Sequence, residues 1–379
     1  MSEKKVIMFA KLPPPYTGQT IGTDLVKSQI ENENKVRVVN TSYGKIKPSQ
    51  SKLELISYNI GFSIYFLSRI IVLFNTIRKN PGSIVYAIGS PSLSGYLKNI
   101  FTVLVSRGKS SRIVFHIRNG NYQKIFKSKI AMRATKWLRE NVDAFIFLSE
   151  SLSRRAANYI PSKKRVVVHN TIDKEVRCSP GEVEHKINGR VSRDQLRVTY
   201  LSNMIPSKGY KDLARAAVVI AESTHSFDVQ FDFIGDWPDA HQRDRFERFL
   251  RGGEISNHCN VRGRIEDRKI IKNIMLNSDV FVLPTYYPNE AQPRSILEAF
   301  NAGTPVVSTH HASIPDYVSE GKNGFLVNKQ APNEIADALR SLMQVERWKK
   351  LAQGARATYE DMFSPSAVRK QMLDALYDS

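Results

Sequence analysis

The stretch Glu290-Ala-Gln-Pro-Arg-Ser-Ile-Leu-Glu298-Ala-Phe-Asn-Ala-Gly303-Thr-Pro-Val-Val-Ser308 contains the signals of a loop, a short helix and a buried strand in succession. The helical pattern ends at Gly303, and the apolar run after it is typical of a strand. The pattern therefore places Glu290 on a loop and Glu298 inside the following helix. In a parallel α/β sheet such a loop lies at the carboxyl edge, where open sheets bind ligands.

The two glutamates of this stretch can face one cleft. Each carboxylate accepts two hydrogen bonds, so the pair suits the hydroxyls of a sugar and of a ribose. The alternative is two solvated glutamates near a helix start, where the helix dipole favours negative charge. Spacing alone leaves both interpretations open.

Composition indicates a globular chain with a basic first half. The 379 residues are 41% hydrophobic and 24% charged, which suits two folded domains. Two cysteines form neither a disulfide framework nor a metal motif, which favours a reducing compartment, and the first apolar run is too short for a signal peptide. Residues 1–180 contain 30 Lys and Arg against 10 Asp and Glu, and the remainder contains 26 of each, so the first half carries the whole net charge of +20. This positive charge predicts an anionic partner, which could be nucleic acid, an acidic membrane surface or a phosphorylated substrate.

Strand and helix patterns alternate along both halves. This alternation predicts an α/β protein with two doubly wound parallel sheets. We expect an N-terminal domain over residues 1–180, a second domain over 181–362, and a C-terminal helix over 363–379 that packs back toward the first domain. The hinge is predicted at residues 171–192, which are polar and show no apolar period. The predicted strands are Val6–Ala10, Val36–Asn40, Ser83–Ile88, Arg112–His116, Ala144–Leu148, Arg197–Leu201, Val229–Ile234, Asn260–Arg262, Val280–Leu283, Thr304–Ser308 and Gly324–Val327.

The segment Leu55–Ile77 is nearly long enough to span a membrane, and Arg69 is its only charged residue. Predicted strands flank it, and several serines interrupt it. A crossover helix buried against the sheet explains it best. A transmembrane span and a helix that touches the bilayer are the alternatives.

Three other signals follow predicted strands. Lys208-Gly209 stands where a loop enters a helix, a place suited to phosphate, although a surface lysine in a turn has the same pattern. Gly18 follows the first strand and permits close approach of the backbone to an anion. His116 ends a strand ahead of the Gly120 turn, where a structural and a functional histidine are equally compatible with the sequence.

Together these motifs resemble the GT-B fold glycosyltransferases, specifically the retaining, sugar-nucleotide-dependent family 4. The resemblance covers nearly the whole chain and is strongest from Tyr200 to Val327. It rests on motifs in the family's order: His116, Leu148-Ser149-Glu150, Asn170-Thr171-Ile172-Asp173, Ser202-Asn203 with Lys208-Gly209, Glu290 with Glu298, and Gly303-Thr-Pro-Val-Val followed by Ile314-Pro315-Asp316. It implies two Rossmann-like domains that face a central cleft.

The resemblance also implies roles for individual residues. Lys208 would neutralise the diphosphate leaving group, Glu290 would hold the transferred sugar, and Glu298 would hold the ribose. His116 would face the sugar from the acceptor side. The catalytic set would be Glu290, His116 and Lys208, and the donor-binding set would be Gly18, Gln19, Asn203, Lys208, Glu290, Arg294, Ser295 and Glu298. The reaction implied is retaining transfer of a hexosyl or N-acetylhexosaminyl unit from a UDP-sugar or GDP-sugar, without a metal or other cofactor.

One departure from the family pattern concerns the phosphate site. The family's arginine is replaced by Asn203, and Arg294 is positioned to supply the missing charge from the facing loop. A second departure is His310-His311, where a metal site with Asp316 is conceivable but not expected. The sequence has no Asp-x-Asp pair on a loop after a strand, which argues against a metal-bridged diphosphate.

The resemblance implies that the N-terminal domain binds the acceptor, so the positive charge of the first half is expected to indicate what kind of acceptor it is. Residues 109–139 contain nine Lys and Arg, no acid, and interleaved apolar residues. This predicts a basic amphipathic helix on an anionic membrane, or a solvated helix whose apolar stripe faces the core. The residues assigned to acceptor or membrane are Arg118, Lys124, Lys127, Lys129, Arg133 and Lys136.

Nucleic acid is not an expected partner, because no motif for reading bases is present. The sequence thus predicts a cytoplasmic enzyme, peripherally bound to the inner face of the plasma membrane, that glycosylates a lipid-linked saccharide in surface polysaccharide assembly. The alternatives are transfer to a soluble acceptor and a non-catalytic nucleotide-sugar-binding protein of the same fold.

Overall fold

The chain was analysed as a computed structural model, which describes residues 5–14, 18–31, 34–44, 52–90, 93–122, 129–190, 195–223 and 228–377. It divides into two compact units. The first unit comprises Met1–Asn170 and Val368–Ser379, and the second comprises Thr171–Ala367. The division therefore falls earlier in the chain than the predicted boundary at residue 180.

The first unit is built on a six-stranded parallel sheet of order β2-β1-β3-β4-β5-β6. Its strands are β1 (Lys5–Ala10), β2 (Lys35–Asn40), β3 (Ile84–Gly89), β4 (Arg112–Ile117), β5 (Ala144–Phe147) and β6 (Arg165–Val167). Its helices are α1 (Gly18–Glu31), α2 (Lys52–Lys79), α3 (Leu93–Ser106), α4 (Lys129–Asn141) and α5 (Glu150–Arg154).

The second unit has a parallel sheet of order β12-β11-β10-β7-β8-β9. Its strands are β7 (Gln195–Leu201), β8 (Asp228–Ile234), β9 (Cys259–Arg262), β10 (Val280–Leu283), β11 (Val306–Thr309) and β12 (Gly324–Val327). Its helices are α6 (Pro180–Asn188), α7 (Tyr210–Ser223), α8 (Ala240–Gly252), α9 (Arg268–Asn277), α10 (Arg294–Asn301), α11 (Pro332–Ser341) and α12 (Val345–Thr358). The prediction of two doubly wound α/β domains is confirmed.

Every predicted strand is present, and one strand was not predicted. The additional strand, β6, has three half-buried residues and begins with an arginine. Such a short edge strand gives no apolar run that a sequence pattern could reveal.

The predicted hinge over residues 171–192 contains a helix that the sequence pattern did not reveal. Helix α6 lies within this segment, with Pro180 at its start and a capping box in which the side chains of Ser179 and Glu182 each bind the other's backbone. Val183 and Ile187, four residues apart, are buried and anchor the helix. Two apolar residues in so short a helix are too few to show a period.

The last helix, α13 (Pro365–Tyr377), contributes to the core of the first unit. Its residues Val368, Met372, Ala375 and Leu376 are each at most 2% exposed. The backbone N–H of His169 donates to Gln371 Oε1 at 3.0 Å, and the Tyr377 hydroxyl bonds Asn34 Oδ1.

Helix α2 is the crossover between β2 and β3, and only one of its faces is buried. Phe66, Ile70, Leu73 and Ile77 lie in the domain, each at most 8% exposed. The Tyr65 hydroxyl donates to the carbonyl of Ser42 at 2.7 Å, which ties the helix to the segment after β2. Within the described residues, Leu53–Lys79 is the one helix long and apolar enough to cross a membrane, and only 22% of its most apolar window is buried. The expected burial against the sheet therefore holds for one face of this helix, the one that carries Phe66, Ile70, Leu73 and Ile77.

Candidate functional site

The predicted residues of the second unit lie close to the point where the order of its strands reverses. Strand β7 lies between β10 and β8: the chain runs from β7 outward through β8 to β9 and then crosses back to β10 on the other side of β7. Crevices outside the carboxyl ends of strands at such a switch point are where doubly wound sheets bind ligands. The loop after β7 leads to Lys208, and the loop after the neighbouring β10 leads to Glu290.

These two loops are held against each other by a glycine. Gly209 follows the 3₁₀ turn Pro206–Lys208 and has φ of +84°, a left-handed conformation that glycine adopts readily. A Cβ atom at this position would lie 2.2 Å from the carbonyl oxygen of Pro284. The backbone N–H of Tyr286 also donates to Ser207 O at 2.8 Å. The Lys-Gly motif thus fixes the lysine beside the end of β10.

Lys208 and Glu290 form an ion pair with 2.6 Å between Nζ and Oε2. Their side chains are only 14% and 8% exposed. Thr285 donates its hydroxyl to the same carboxylate oxygen at 3.2 Å, and the ammonium lies 4.8 Å from the centre of the Tyr287 ring. Glu290 Oε1 remains available to accept hydrogen bonds from a ligand's hydroxyl groups.

Glu298 belongs to a second charged group, which the sequence did not reveal. Arg268 donates from Nη2 to Glu298 Oε1 at 2.5 Å and from Nε to Asp173 Oδ2 at 3.0 Å. Burial raises the pKa of Glu298, and the charges of Arg268 and Arg294 oppose that rise. Arg268 is the first residue of α9. Its distance along the sequence from Glu298 follows no helix or strand period, so the sequence pattern could not predict their contact. Asp173 was the one member of this group, besides Glu298, that lay in a motif recognised in the sequence.

Arg294 begins α10, whose N-terminus has no side-chain cap. The guanidinium Nη1 is buried and has no hydrogen-bond partner within the part of the chain that the structure describes. Burial lowers the pKa of Arg294, which shows how strongly its charge lacks solvation, while Glu298 and Asp173 partly compensate. Ser295, the next residue, is half-buried at the same helix start. An unpaired cation beside uncapped backbone N–H groups suits a phosphate.

In the first unit, His116 lies near the end of β4 and is fully buried. Its Nδ1 lies 2.7 Å from the Tyr86 hydroxyl, whereas Nε2 has no partner among the described residues. Burial, together with the charge of Arg118, holds the pKa of His116 well below its usual range. The ring is therefore neutral at physiological pH.

The remaining predicted residues of the first unit are separated by the structure. Gly18 and Gln19 are exposed at the start of α1. Arg118 lies against α1 instead of joining the cations of α4, because a Cβ at Gly22 would meet its Nη2 at 2.1 Å. It donates to Asn170 Oδ1 at 2.7 Å. Arg118 therefore does not belong to helix α4, and its assignment to the acceptor or the membrane stays a prediction.

The predicted basic helix is only partly described. Lys124 and Lys127 lie outside the described residues, as does the side chain of Lys129. Arg133 and Lys136 are exposed, whereas Tyr122 and Leu138 are at most 5% exposed. The apolar side chains described here thus face the core, as the alternative interpretation of this stretch expected.

Asn203 and the histidine pair complete the predicted positions in the second unit. Asn203 has an exposed side chain, and its carbonyl accepts a bond from the Tyr200 hydroxyl at 3.3 Å. His311 Nε2 lies 2.8 Å from the carbonyl of Tyr287. Among the residues whose placement is described, no three His, Cys, Asp or Glu side chains form a metal-binding cluster.

Comparison with known proteins relates this arrangement to an enzyme class. Residues 195–345 match the model of the glycosyl transferases group 1. The match contains Lys208, Arg268, Glu290, Arg294 and Glu298. The chain is a glycosyltransferase of the GT-B fold.

Two relatives of this chain have names that refer to a cps region and to colanic acid biosynthesis. The glycosyltransferase is 20% identical over 312 residues to an uncharacterized protein in the cps region of Klebsiella pneumoniae, covering 81% of this chain and 82% of that protein. It is 29% identical over 187 residues to WcaL of Escherichia coli K12, named for colanic acid biosynthesis. The second alignment covers 48% of this chain and 45% of WcaL, so the chain spans less than half of that relative.

The fold is shared with solved structures over the full length. The structure of HepE from Anabaena in complex with UDP has a TM-score of 0.72, with 17% identity, and covers 99% of this chain and 100% of that one. At this identity the likeness establishes the fold alone.

Proposed function

We propose that the glycosyltransferase belongs to the retaining family 4 group and moves a hexosyl or N-acetylhexosaminyl unit from a UDP-sugar or GDP-sugar to a lipid-linked saccharide. Surface polysaccharide is the proposed product, in keeping with the names of the cps-region and colanic acid relatives. UDP bound to HepE favours a uridine donor.

The observation that carries this proposal is the buried Lys208–Glu290 pair beside the uncapped start of α10. A nucleotide diphosphate needs cations and N–H donors, and a sugar needs a carboxylate oxygen for its hydroxyls. The site supplies both within two adjacent loops. Because Lys208 and Thr285 bind Oε2, the sugar hydroxyls would bind Oε1 of Glu290.

The proposed reaction breaks the bond between the anomeric carbon and the diphosphate oxygen, and the diphosphate leaves with the electron pair. The acceptor hydroxyl oxygen forms the new bond from the same face, and its proton passes to the departing phosphate. Lys208 and Arg294 would stabilise the charge that develops on the diphosphate. Positioning by Glu290 would supply the remaining acceleration, since no group in the site is assigned as a nucleophile.

Glu298 is proposed to hold the ribose. Arg268 occupies Oε1, which leaves the second oxygen for the ribose hydroxyls. Because Arg268 also binds Asp173, the carboxylate is fixed before the nucleotide arrives. The acceptor-side role of His116 is kept as a proposal that rests on the resemblance alone, because its neutral ring is fully buried in the first unit.

We place the enzyme at the cytoplasmic face of the membrane, peripherally bound and metal-independent, with the acceptor on the first unit. The excess of 20 positive charges in residues 1–180 supports a partner that carries phosphate, such as a pyrophosphate-linked lipid and the anionic lipids around it.

The test begins with a thermal-shift screen against UDP-sugars and GDP-sugars, because a ligand that binds only the folded state raises the melting temperature. The donor identified is then used to compare Glu290→Gln with Glu266→Gln, whose side chain is 79% exposed. We expect Glu290→Gln to reduce turnover by about 100-fold or more. The melting temperature should also fall, because Lys208 is left without its buried partner, so turnover is compared at a temperature at which both variants are folded. Full turnover in Glu290→Gln, or the absence of any stabilising nucleotide sugar, would contradict the proposal.

A further inference from the structure

Apolar exposure is concentrated on two helices of the first unit. Among the described residues, twelve large hydrophobic side chains are exposed, and ten of them belong to α2 and α3. We name these ten the α2–α3 face: Leu53, Ile56, Ile60, Ile64, Leu67, Ile71, Val72, Leu97, Phe101 and Leu104. Several are more than half exposed, including Leu53 at 80% and Ile64 at 64%. An apolar surface of this extent marks an interaction site.

The α2–α3 face is continuous because the two helices pack side by side. On α2 its residues recur every three or four positions, which places them along one side of the helix. The two helices contact each other, and Lys98 of α3 has its Nζ 3.8 Å from the centre of the Phe62 ring on α2. On α3, Leu97, Phe101 and Leu104 show the same spacing.

Three hydroxyl groups on these helices are bonded to the helix backbone. The hydroxyls of Ser63, Thr76 and Thr102 each donate to a carbonyl four residues earlier, at 2.7–2.8 Å. A helix whose hydroxyls are bonded to its own backbone can enter an apolar medium without leaving those donors unpaired.

Charge around the α2–α3 face is predominantly positive, and Glu54 at the start of α2 is an exposed exception. From Leu55 to Arg139 the sequence has no Asp or Glu and fourteen Lys and Arg. Arg78 and Lys79 end α2, and Arg107 and Lys109 follow α3; all four are exposed. Lys109 has its Nζ 3.8 Å from the centre of the Phe74 ring on α2, so the cations after α3 lie close to the end of α2. Arg133 and Lys136 add exposed charge on α4, which packs against α3.

We propose that the α2–α3 face docks on an anionic lipid bilayer, with both helices lying along its surface and the cations at their C-terminal ends bound to lipid phosphates. This inference rests on the proposed membrane location and assigns it a surface. It places the membrane contact on α2 and α3 instead of α4, where Leu138 lies in the core.

Charge decides between a bilayer and a second copy of this chain. Pairing two α2–α3 faces would bring two predominantly cationic surfaces together, whereas an anionic leaflet complements them. A spanning helix is disfavoured by the packing of α2, because Leu73 and Ile77 are fully buried in the domain and Tyr65 is bonded to Ser42.

The experiment measures binding of the full chain to two kinds of vesicle, pure phosphatidylcholine and an equimolar mixture of phosphatidylcholine and phosphatidylglycerol. We expect binding to the mixed vesicles, and weaker binding as salt is added. The triple variant Ile60→Ser, Ile64→Ser, Ile71→Ser should bind at least about tenfold more weakly, because it removes exposed apolar area. The charge variant Arg78→Gln, Lys79→Gln should lose most of the preference for the anionic vesicles.

Matched controls come from the second unit. Phe249→Ser with Ile270→Ser changes the two other exposed hydrophobic residues, and Lys322→Gln with Lys329→Gln changes two exposed lysines. Both pairs should leave vesicle binding unchanged. Equal binding by the triple variant overturns the proposal, and so does a wild-type dimer that the triple variant converts to monomer. Wild-type chain that stays with vesicles through alkaline carbonate extraction indicates a span and also overturns it.

Failure of this inference can be told apart from failure of the proposed function. The variants of the α2–α3 face change no residue of the donor site, so the shift in melting temperature with a nucleotide sugar should persist in all of them. Vesicle binding without any nucleotide-sugar response would preserve the docking surface and reject the function. A shift in melting temperature with a nucleotide sugar, without vesicle binding, would preserve the proposed donor binding and reject the docking surface.

Discussion

The carboxylate of Glu290 is positioned by the protein before any sugar is bound. Lys208 and Thr285 both donate to Oε2, and the backbone N–H of Glu290 bonds the carbonyl of Tyr287 at 2.9 Å. A group fixed in this way loses little conformational entropy when substrate arrives. Lys208 is held by the same ion pair, so the proposed cation for the leaving group and the proposed acceptor for the sugar hydroxyls form one preorganised pair.

Arg294 supplies the first prediction at the scale of single residues. Its buried Nη1 lacks a partner among the described residues, and the family's phosphate-site arginine is replaced by the exposed Asn203. We expect Arg294→Ala to weaken nucleotide-sugar affinity by about 10- to 100-fold, the cost of one charge-assisted hydrogen bond. Calorimetric titration of the donor measures this directly.

The control for Arg294 is Arg264→Ala, which removes an exposed arginine from the same unit. A rescue experiment sharpens the test: Asn203→Arg, added to Arg294→Ala, should recover part of the lost affinity by restoring a cation on the opposite loop. If Arg294→Ala binds donor as tightly as the wild type, Arg294 is not the replacement for the missing arginine.

The sequence could identify Lys208, Glu290 and Glu298 because each follows a strand at a position that the fold brings to one edge. Arg268 and its bond to Glu298 could not be identified in the same way. The pair is separated by β10 and two loops, and its geometry depends on how α9 packs, which no local pattern encodes. Arg118 was grouped with the cations of α4 for a similar reason, since its bond to Asn170 and its approach to Gly22 join distant parts of the chain.

At the scale of elements, the junction between the two site loops depends on Gly209. Its positive φ and the 2.2 Å approach of a Cβ to Pro284 O both exclude a side chain. We expect Gly209→Ala to reduce the free energy of unfolding by about 1–3 kcal/mol. Donor affinity should also fall, because the shifted loop carries Lys208. Chemical denaturation and donor titration measure the two effects.

Gly252→Ala is the matched control for Gly209→Ala. Gly252 ends α8, where a Cβ would meet no atom within 4 Å and no positive φ is present. This substitution should be neutral or stabilise by up to about 1 kcal/mol, through reduced entropy of the unfolded chain. Equal stability losses in the two variants would show that the close approach at Gly209 is unimportant.

Elements were predictable to different degrees. The strands were found because parallel strands buried on both faces are continuous apolar runs. Helix α6 was missed because its two buried residues are too few to form a period. The composition of α2 revealed a long apolar helix, but burial of one face and exposure of the other depend on which neighbours the sheet order provides.

At the scale of the whole molecule, the chain returns to its first unit after completing the second. The return is made by α13, whose buried face fills the core beside β1, β3 and β4. The Gln371 side chain and the Tyr377 hydroxyl then bond His169 and Asn34. The last residues of the chain are therefore required for the stability of its first unit.

Two buried methionines test this dependence. Met372 of α13 and Met275 of α9 are each 1% exposed but belong to the cores of different units. Truncating either to alanine should reduce the stability of its own unit by about 2–5 kcal/mol. Amide hydrogen exchange, followed strand by strand, measures where that loss appears. Met372→Ala should accelerate exchange in β1, β3 and β4, and Met275→Ala should do so in β7 and β10. Faster exchange in the second sheet alone after Met372→Ala would contradict the assignment of α13 to the first unit.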